Sequence, residues 1–424
     1  MSSATYLSDM KRLGKRFGFR GSLIFTTTHY ACHAFDSSAP CTPRPMTLNF
    51  RFAVVSDLHV ALPETVWKHP NQTHLVEVGI PALEVTLSRL QHENLDFLLV
   101  PGDLTQHGEP ANHAWIADRF AQLPYPVYVI PGNHDIPVLE KNDQSIAPHQ
   151  FPHFYRMFGY EDPSRPYYSQ SILPGVRLIG LNSNTFDEGG KQIGRMDNEQ
   201  MKWLRETLAK AQEEVIMVMI HHNVLDHIPN QSTQALGQRY MLENAPELLS
   251  ILRAHKVSLV FTGHLHIQDV AYQDGIYDIT TGSLISYPHP YRIFQYQVDR
   301  HGRQWLQMES HRIESVPGWD NLAEQTRELM GDRGQAYMLQ LLMQEPLSLP
   351  QAEAEALVPS LRYFWTAVAE GDALFDFAHF PEAARNYFES FGTTTPIDNR
   401  ALLPLGEGRS RRRTRKVAAS CLQK

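Results

Sequence analysis

Six short apolar runs constrain this chain more than any other feature. They are RFAVVS (51–56), DFLLVP (96–101), PVYVIP (126–131), VRLIGLN (176–182), VIMVMI (215–220) and VSLVFT (257–262). Each is rich in β-branched residues and apolar at successive positions, so each reads as a strand covered on both faces. Amphipathic helical patterns lie between them. At 197–211, Asp197 is a candidate N-cap, Gln200 holds the capping-box position, and Met201, Leu204, Leu208 and Ala211 share one face. At 246–255, Pro246 fits a first helical turn and Leu248, Leu249 and Leu252 form a stripe. Alternation of this kind implies a layered α/β fold. From 269 to 309 shorter strands with turns predict a second, antiparallel-edged sheet.

This pattern marks one domain over residues 49–313. Residues 314–392 read as helices whose Leu, Met, Tyr and Phe side chains are packing residues, a helical C-terminal region suited to homo-oligomerisation. Residues 1–48 read as a flexible N-terminal extension and residues 393–424 as a disordered basic tail. The stretch after Arg20 is too polar for a secretory signal, and no run reaches the ~18 to 20 apolar residues of a membrane span. Cys32, Cys41 and Cys421 all lie in the extensions, so the body has no disulfide and no thiolate metal site. A cytoplasmic location is expected. Of the chain's 38 basic and 46 acidic residues, 25 and 43 fall within 51–400, a net charge of −18 there. Such a body does not suit long nucleic acid.

Five polar clusters follow at or just beyond the apolar strands: Asp57-Leu58-His59, Gly102-Asp103, Gly132-Asn133-His134-Asp135, His221-His222, and Gly263-His264-Leu265-His266. Side chains at the carboxyl ends of neighbouring strands converge on one crevice. If the strand direction continues, Asp57 and His59 point the same way. Any one of these clusters alone is a weak signal; five in order, each after a strand, are a metal site. Its oxygen and imidazole donors, without sulfur, suit Mn, Fe, Zn or Co. Of the adjacent pair, His221 stands at the strand end and is the expected ligand. His222 is left to support it or to touch substrate. His107 and His113 lie near a motif without an assigned role.

The motifs DLH (57–59), GDLT (102–105), GNHD (132–135), HH (221–222) and GHLH (263–266) resemble those of the calcineurin-like metallophosphoesterase superfamily, over roughly residues 51–270. The stretch GDLTQHGEP (102–110) is most similar to class III cyclic nucleotide phosphodiesterases and their glycerophosphodiesterase relatives. The resemblance implies a four-layer α/β/β/α sandwich, here with a C-terminal helical appendage, and a dinuclear site. It assigns Asp57, His59 and His266 to one metal, Asn133, His221 and His264 to the other, and Asp103 to both. His134 becomes the catalytic histidine and Asp135 its orienting partner. Where many of these relatives have proline after the histidine pair, this chain has Asn223.

The expected chemistry is hydrolysis of a small phosphate ester with two divalent or trivalent metal ions as cofactors. Cations about 3.5–4 Å apart clamp phosphate oxygens, and a hydroxide bridging them attacks phosphorus. His134 then protonates the leaving alkoxide or binds the transition-state oxygen. A phosphodiesterase is expected, with 3′,5′-cyclic nucleotides among its candidate substrates. A phosphomonoesterase or glycerophosphodiesterase on the same site is the first alternative. A non-catalytic scaffold, which should have lost ligands, is the second.

Overall fold

A computed structural model describes residues 48–66, 75–394 and 396–407 of the chain. The three cysteines, the N-terminal extension as far as residue 47 and the basic tail beyond residue 407 lie outside the described residues. All six apolar runs form strands: β1 (Asn49–Val54), β2 (Phe97–Val100), β3 (Val127–Val129), β5 (Val176–Gly180), β8 (Val215–Met219) and β9 (Leu259–Thr262). Every residue of β2, β8 and β9 is buried, as expected for strands covered on both faces.

Two six-stranded sheets result, beside a two-stranded one of β6 (Asn184–Phe186) and β7 (Gln192–Gly194). In the first, β1, β2 and β3 run parallel, and β12 (Pro290–Val298) and β13 (Arg303–Arg312) continue it antiparallel beyond β1. In the second, β5, β8, β9 and β11 (Ile276–Thr280) run parallel. Its antiparallel edges are β4 (Tyr168–Leu173) and β10 (Asp269–Gln273). The segment from 269 to 309, expected to form a second, antiparallel-edged sheet, is instead divided between the two sheets. The Asp274-Gly275 hairpin, with both residues at positive φ, keeps β10 and β11 together as such a turn should. The next two strands cross to β1.

The sheets face each other across an aromatic core. Phe52 stacks between Phe97 and Phe294 at 4.9 and 4.8 Å, and Phe261 of the second sheet meets Phe52 edge-on at 5.6 Å. The outer faces are covered by helices α1 (Gly79–Leu90) and α2 (Pro110–Phe120) on the first sheet. Helices α3 (Asn198–Lys210) and α4 (Ala245–Ala254) cover the second. This is the expected α/β/β/α sandwich. Asp197 caps α3, accepting from the Gln200 amide at 2.7 Å. The Gln200 side chain does not complete a capping box. It bonds both backbone groups of Asn182, at 2.9 and 2.7 Å, and so ties α3 to the end of β5.

The C-terminal region contains α5 (Leu322–Met343), α6 (Gln351–Leu357), α7 (Phe364–Glu370) and α8 (Glu382–Glu389). Phe364, Phe377, Phe388, Met338 and Leu342 are buried in a core of their own, which also takes in Ile267. The amide of Gln268 donates to the Ala369 carbonyl at 3.0 Å. The helices are thus fastened to the loop that carries His264 and His266.

The expectation of disorder from residue 393 is wrong for residues 400–407. Arg400–Glu407 forms β14, which pairs antiparallel with β13 at the edge of the first sheet. Pro404, Gly406 and the arginines beyond them read as a disordered tail, but an edge strand tolerates proline, and Pro404 sits at a register shift beside Trp305. The helical region is therefore inserted between two adjacent strands rather than appended after the sheet. Leu403 is 1 % exposed opposite Leu306, while Leu402 is 53 % exposed. Leu403→Ala should cost about 2–5 kcal/mol and Leu402→Ala less than about 0.5 kcal/mol, read by chemical denaturation. Equal costs would mean that β14 is not held as a buried edge.

Candidate metal centre

The carboxyl ends of β1, β2, β3, β8 and β9 open into one crevice, and the five polar clusters occupy the turns leaving them. These turns are not extended. Asp57, His59, Asp103, His264 and His266 all have positive φ, between 42° and 68°. A non-glycine residue held there costs on the order of 1–3 kcal/mol, and such strain concentrates at functional sites. The premise that Asp57 and His59 share a direction because the strand continues is therefore corrected. β1 ends at Val54, and the two side chains converge through successive left-handed turns. Backbone bonds to the second turn hold them, from Asp57 to the Gly102 carbonyl at 3.2 Å and from His59 to the Asp103 carbonyl at 2.9 Å. Two glycines allow the turns to close. A Cβ at position 132 would stand 2.1 Å from Asp103 Oδ1, and one at 263 would stand 2.5 Å from Asp57 Oδ2.

Two groups of potential ligands result. Asp57, His59, Asp103 and His266 present donor atoms within 4.8 Å of one another, and so do Asp103, His221 and His264. Asp103 belongs to both. Asn133 joins the second group, its Oδ1 lying 3.2 Å from His221 Nε2. Asp103 Oδ1 accepts from the His134 amide at 2.8 Å. Its Oδ2 is buried without a well-aligned hydrogen bond, 3.3 Å from His221 Nε2 and 3.7 Å from His59 Nε2. A buried carboxylate oxygen left in this state between two clusters of nitrogen and oxygen donors fits a shared cation ligand. The supporting bonds fit as well. His221 gives its Nδ1 proton to the Pro101 carbonyl at 2.8 Å, which presents Nε2 to the site. His264 Nε2 donates to the Arg239 carbonyl at 3.1 Å, leaving the Nδ1 lone pair for a cation.

The electrostatics favour cations. Burial works against ionisation of Asp103, but His221, His134 and His59 outweigh it and hold the carboxyl well below its usual range. Burial likewise opposes a proton on His221, yet Asp103 and Asp57 push its pKa up to about 9, the same attraction that a cation would meet. Burial and the neighbouring histidines hold His264 far below its ordinary value and His222 down to about 3. A low imidazole pKa keeps a ring nitrogen's lone pair free, as ligation by His264 would require.

His134 lies against this centre, its ring edge-on to His59 at 4.6 Å. Its orientation comes from an unexpected source. Nδ1 donates to the Gln106 carbonyl at 2.7 Å. Asp135, expected to hold the ring, points elsewhere. Its buried carboxylate accepts from the amides of Gly132, Leu104 and Thr105 at 2.8, 3.2 and 2.8 Å and from the Thr105 hydroxyl at 3.0 Å. Asp135 thus locks the second and third loops to each other. Burial, with the nearby Asp103 charge, pushes its pKa up to about 7 despite those donors.

His222 belongs to neither donor group. Ser183 Oγ contacts its Nδ1 at 2.7 Å, and its ring packs 4.5 Å from that of His264. His113 is buried between the Tyr155 hydroxyl and the Asp135 carbonyl. His107 lines the crevice mouth. Asn223, where the resemblance led proline to be expected, donates its amide to the Tyr240 carbonyl at 2.9 Å and receives the Leu242 amide at 2.9 Å. Proline has no such donor. The crevice widens into a cleft of about 2160 Å³ whose far wall includes Arg333 and Tyr337 of α5 and Trp365 of α7. The apolar pattern of these helices signalled packing alone, and nothing in it placed them at the crevice.

The chain matches the model of the family described as calcineurin-like phosphoesterase over residues 50–268. It is 28 % identical over 223 residues to a probable cyclic nucleotide phosphodiesterase of Synechococcus, covering 52 % of this chain and 74 % of that protein. It is 26 % identical over 237 residues to the 3′,5′-cyclic adenosine monophosphate phosphodiesterase of Haemophilus influenzae, covering 54 % and 76 %. Among solved structures, a dimetal phosphatase from Danio rerio is similar at 16 % identity and a TM-score of 0.45, over 62 % of this chain and 96 % of that one.

Proposed function

The chain belongs to the calcineurin-like phosphoesterase family, and from that premise we propose that it is a metal-dependent phosphodiesterase acting on small diesters, 3′,5′-cyclic nucleotides among them. The observation that carries this is Asp103, one buried carboxylate common to two nitrogen and oxygen donor groups, with His134 beside it. Asp57, His59 and His266 would hold one cation, Asn133, His221 and His264 the other, and Asp103 both. Imidazole and oxygen donors suit Mn, Fe, Zn or Co. Two such cations would supply positive charge for the phosphate oxygens and would favour ionisation of a nucleophilic water.

The chain's own residues do the rest. Phosphoryl transfer asks for positioning and charge stabilisation more than for covalent help. The strained turns fix the ligands before substrate arrives, so no reorganisation is needed at the moment of reaction. With Nδ1 of His134 committed to the Gln106 carbonyl, proton transfer to the leaving oxygen falls to Nε2. That help matters most for alkoxides, the poor leaving groups of diesters of alkyl alcohols. Asp135 keeps the loop bearing Asn133 and His134 in register with the loop bearing Asp103. No described helix is long and apolar enough to cross a membrane. The absence of cysteine from residues 51–400 suits a reducing compartment, and the cytoplasm is the location proposed.

The test strips metal with a chelator, restores Mn²⁺, and compares bis(p-nitrophenyl) phosphate with p-nitrophenyl phosphate, running 3′,5′-cyclic AMP and glycerophosphocholine in parallel. Diester cleavage that returns with metal and exceeds monoester cleavage by about tenfold or more is the expected result. Cleavage of the monoester alone would replace the diesterase with a phosphomonoesterase. Turnover of glycerophosphocholine without cyclic AMP would move the substrate to glycerophosphodiesters.

A further inference from the structure

We propose that Arg239 and Tyr240 form a specificity subsite beside the metal ligands, which takes a second anionic group carried by the alcohol of a linear phosphodiester. The proposal rests on the diesterase reading and narrows its substrate class. Its first support is position. The Arg239 carbonyl accepts from His264, the Tyr240 ring lies 5.0 Å from the His264 ring, and Asn223 fixes the segment through the Tyr240 carbonyl. A group attached to a phosphate at the metal ligands would meet this segment next.

Charge is the second support. The carboxylates lining the cleft have partners of their own. Asp226 is held by Ser232, Glu243 lies 3.5 Å from Arg195, and Asp269 lies 2.6 Å from His227. Asp372 and Asp398 accept backbone amides from each other's segments. Arg239 has no carboxylate within 4 Å among the described residues. Its guanidinium lies over the Tyr240 ring, 4.5 Å from the centroid, and donates to the Tyr240 hydroxyl. A guanidinium laid on an aromatic face is pre-oriented and presents its remaining donors as a planar fork, the geometry that phosphates and carboxylates match. In a body of net charge −18, a cation without an acidic partner beside the reaction centre points to an anionic ligand.

The third support is size. At about 2160 Å³ the cleft exceeds the roughly 300–1,000 Å³ of ordinary small-molecule sites. It continues past Tyr240 to Arg333, Tyr337 and Trp365. The Tyr337 hydroxyl, pushed up chiefly by burial, also feels Tyr240 and Arg239, which sets these groups around the same stretch of cleft. A cyclic nucleotide leaves most of this space empty, whereas a linear diester with a charged distal end extends into it.

The experiment measures kcat and KM, with Mn²⁺, for the linear dinucleotide ApA, its 5′-phosphorylated form pApA, cyclic AMP and bis(p-nitrophenyl) phosphate. ApA and pApA share one reacting bond and differ by the terminal phosphate. The full-length protein should prefer pApA over ApA by about tenfold in kcat/KM, the worth of one charge-assisted contact. Arg239→Gln should bring that ratio towards one by raising KM for pApA, and Arg239→Lys should restore part of it. Equal turnover of pApA and ApA by the wild type, or an equal fall for both in Arg239→Gln, would overturn the subsite. Loss of bis(p-nitrophenyl) phosphate cleavage with every metal would instead strike the diesterase reading beneath it.

Discussion

Asp103→Ala is expected to lose both bound cations and to lower diester turnover by at least about 10³-fold, because charge stabilisation worth several kcal/mol goes with them. The size of this effect follows from the position of one side chain. Every other candidate ligand lies in one donor group, whereas Asp103 belongs to both. The substitution also removes the acceptor of the His134 amide and the charge that His221 and His59 face. A loss of activity alone would therefore be ambiguous. Elemental analysis decides the matter, since two full equivalents of metal in the variant would show that Asp103 is not shared. Asp103→Asn separates the causes further. Its amide oxygen can still accept from His134, so the loop should keep its place while the ligand loses its charge. Reduced metal content in Asp103→Asn with a melting temperature near that of the wild type would assign the effect to ligation rather than to folding.

The gathering of the candidate ligands at one crevice was legible in the sequence because it depends on order and chemistry alone. Short apolar strands place their carboxyl ends together whatever conformation the following residues adopt, so Asp57, His59, Asp103, Asn133, His221, His264 and His266 could be nominated without knowing any dihedral angle. The dihedral angles themselves were not legible. Left-handed turns at Asp57 and His59 contradict the extended chain that spacing alone suggested, since aspartate and histidine enter that region more readily than most residues but only the surrounding contacts fix them there. The partners of His134 and Asp135 were misread for a related reason. Adjacency in sequence suggested adjacency of side chains, yet the ring of His134 went to a backbone carbonyl, a donor-acceptor choice that leaves no trace in residue identity. β14 was hidden by proline and glycine in a strand that survives only because it lies at an edge. The helices forming the far wall of the cleft were recognised as helices, but their approach to the site depends on the Ala369–Gln268 bond and on burial of Ile267, both long-range events. One residue did mark the difference in advance. Asn223 stands where the resemblance led proline to be expected, and its amide holds the Arg239–Tyr240 segment against the histidine pair.

His134→Ala should lower kcat by about 10²- to 10⁴-fold while both cations remain bound. The amide that bonds Asp103 belongs to the backbone, so removal of the ring leaves the ligand cage intact, and this separates the variant from Asp103→Ala. The loss should depend on the leaving group. A p-nitrophenolate departs without protonation, so bis(p-nitrophenyl) phosphate should retain much of its rate. The alkoxide released from an alkyl diester or from cyclic AMP needs a proton, and there the deficit should be largest. An acid poised at the leaving oxygen produces that gradient, whereas a histidine that only binds a phosphate oxygen lowers both rates alike. Comparing the two substrates in wild type and variant, with metal content measured on the same samples, therefore tests the role and not merely the importance of the residue. Equal losses would make His134 an electrostatic contact to the phosphate. Undiminished turnover of cyclic AMP would remove it from the chemistry, and the Gln106 carbonyl that fixes its ring would then have no catalytic purpose.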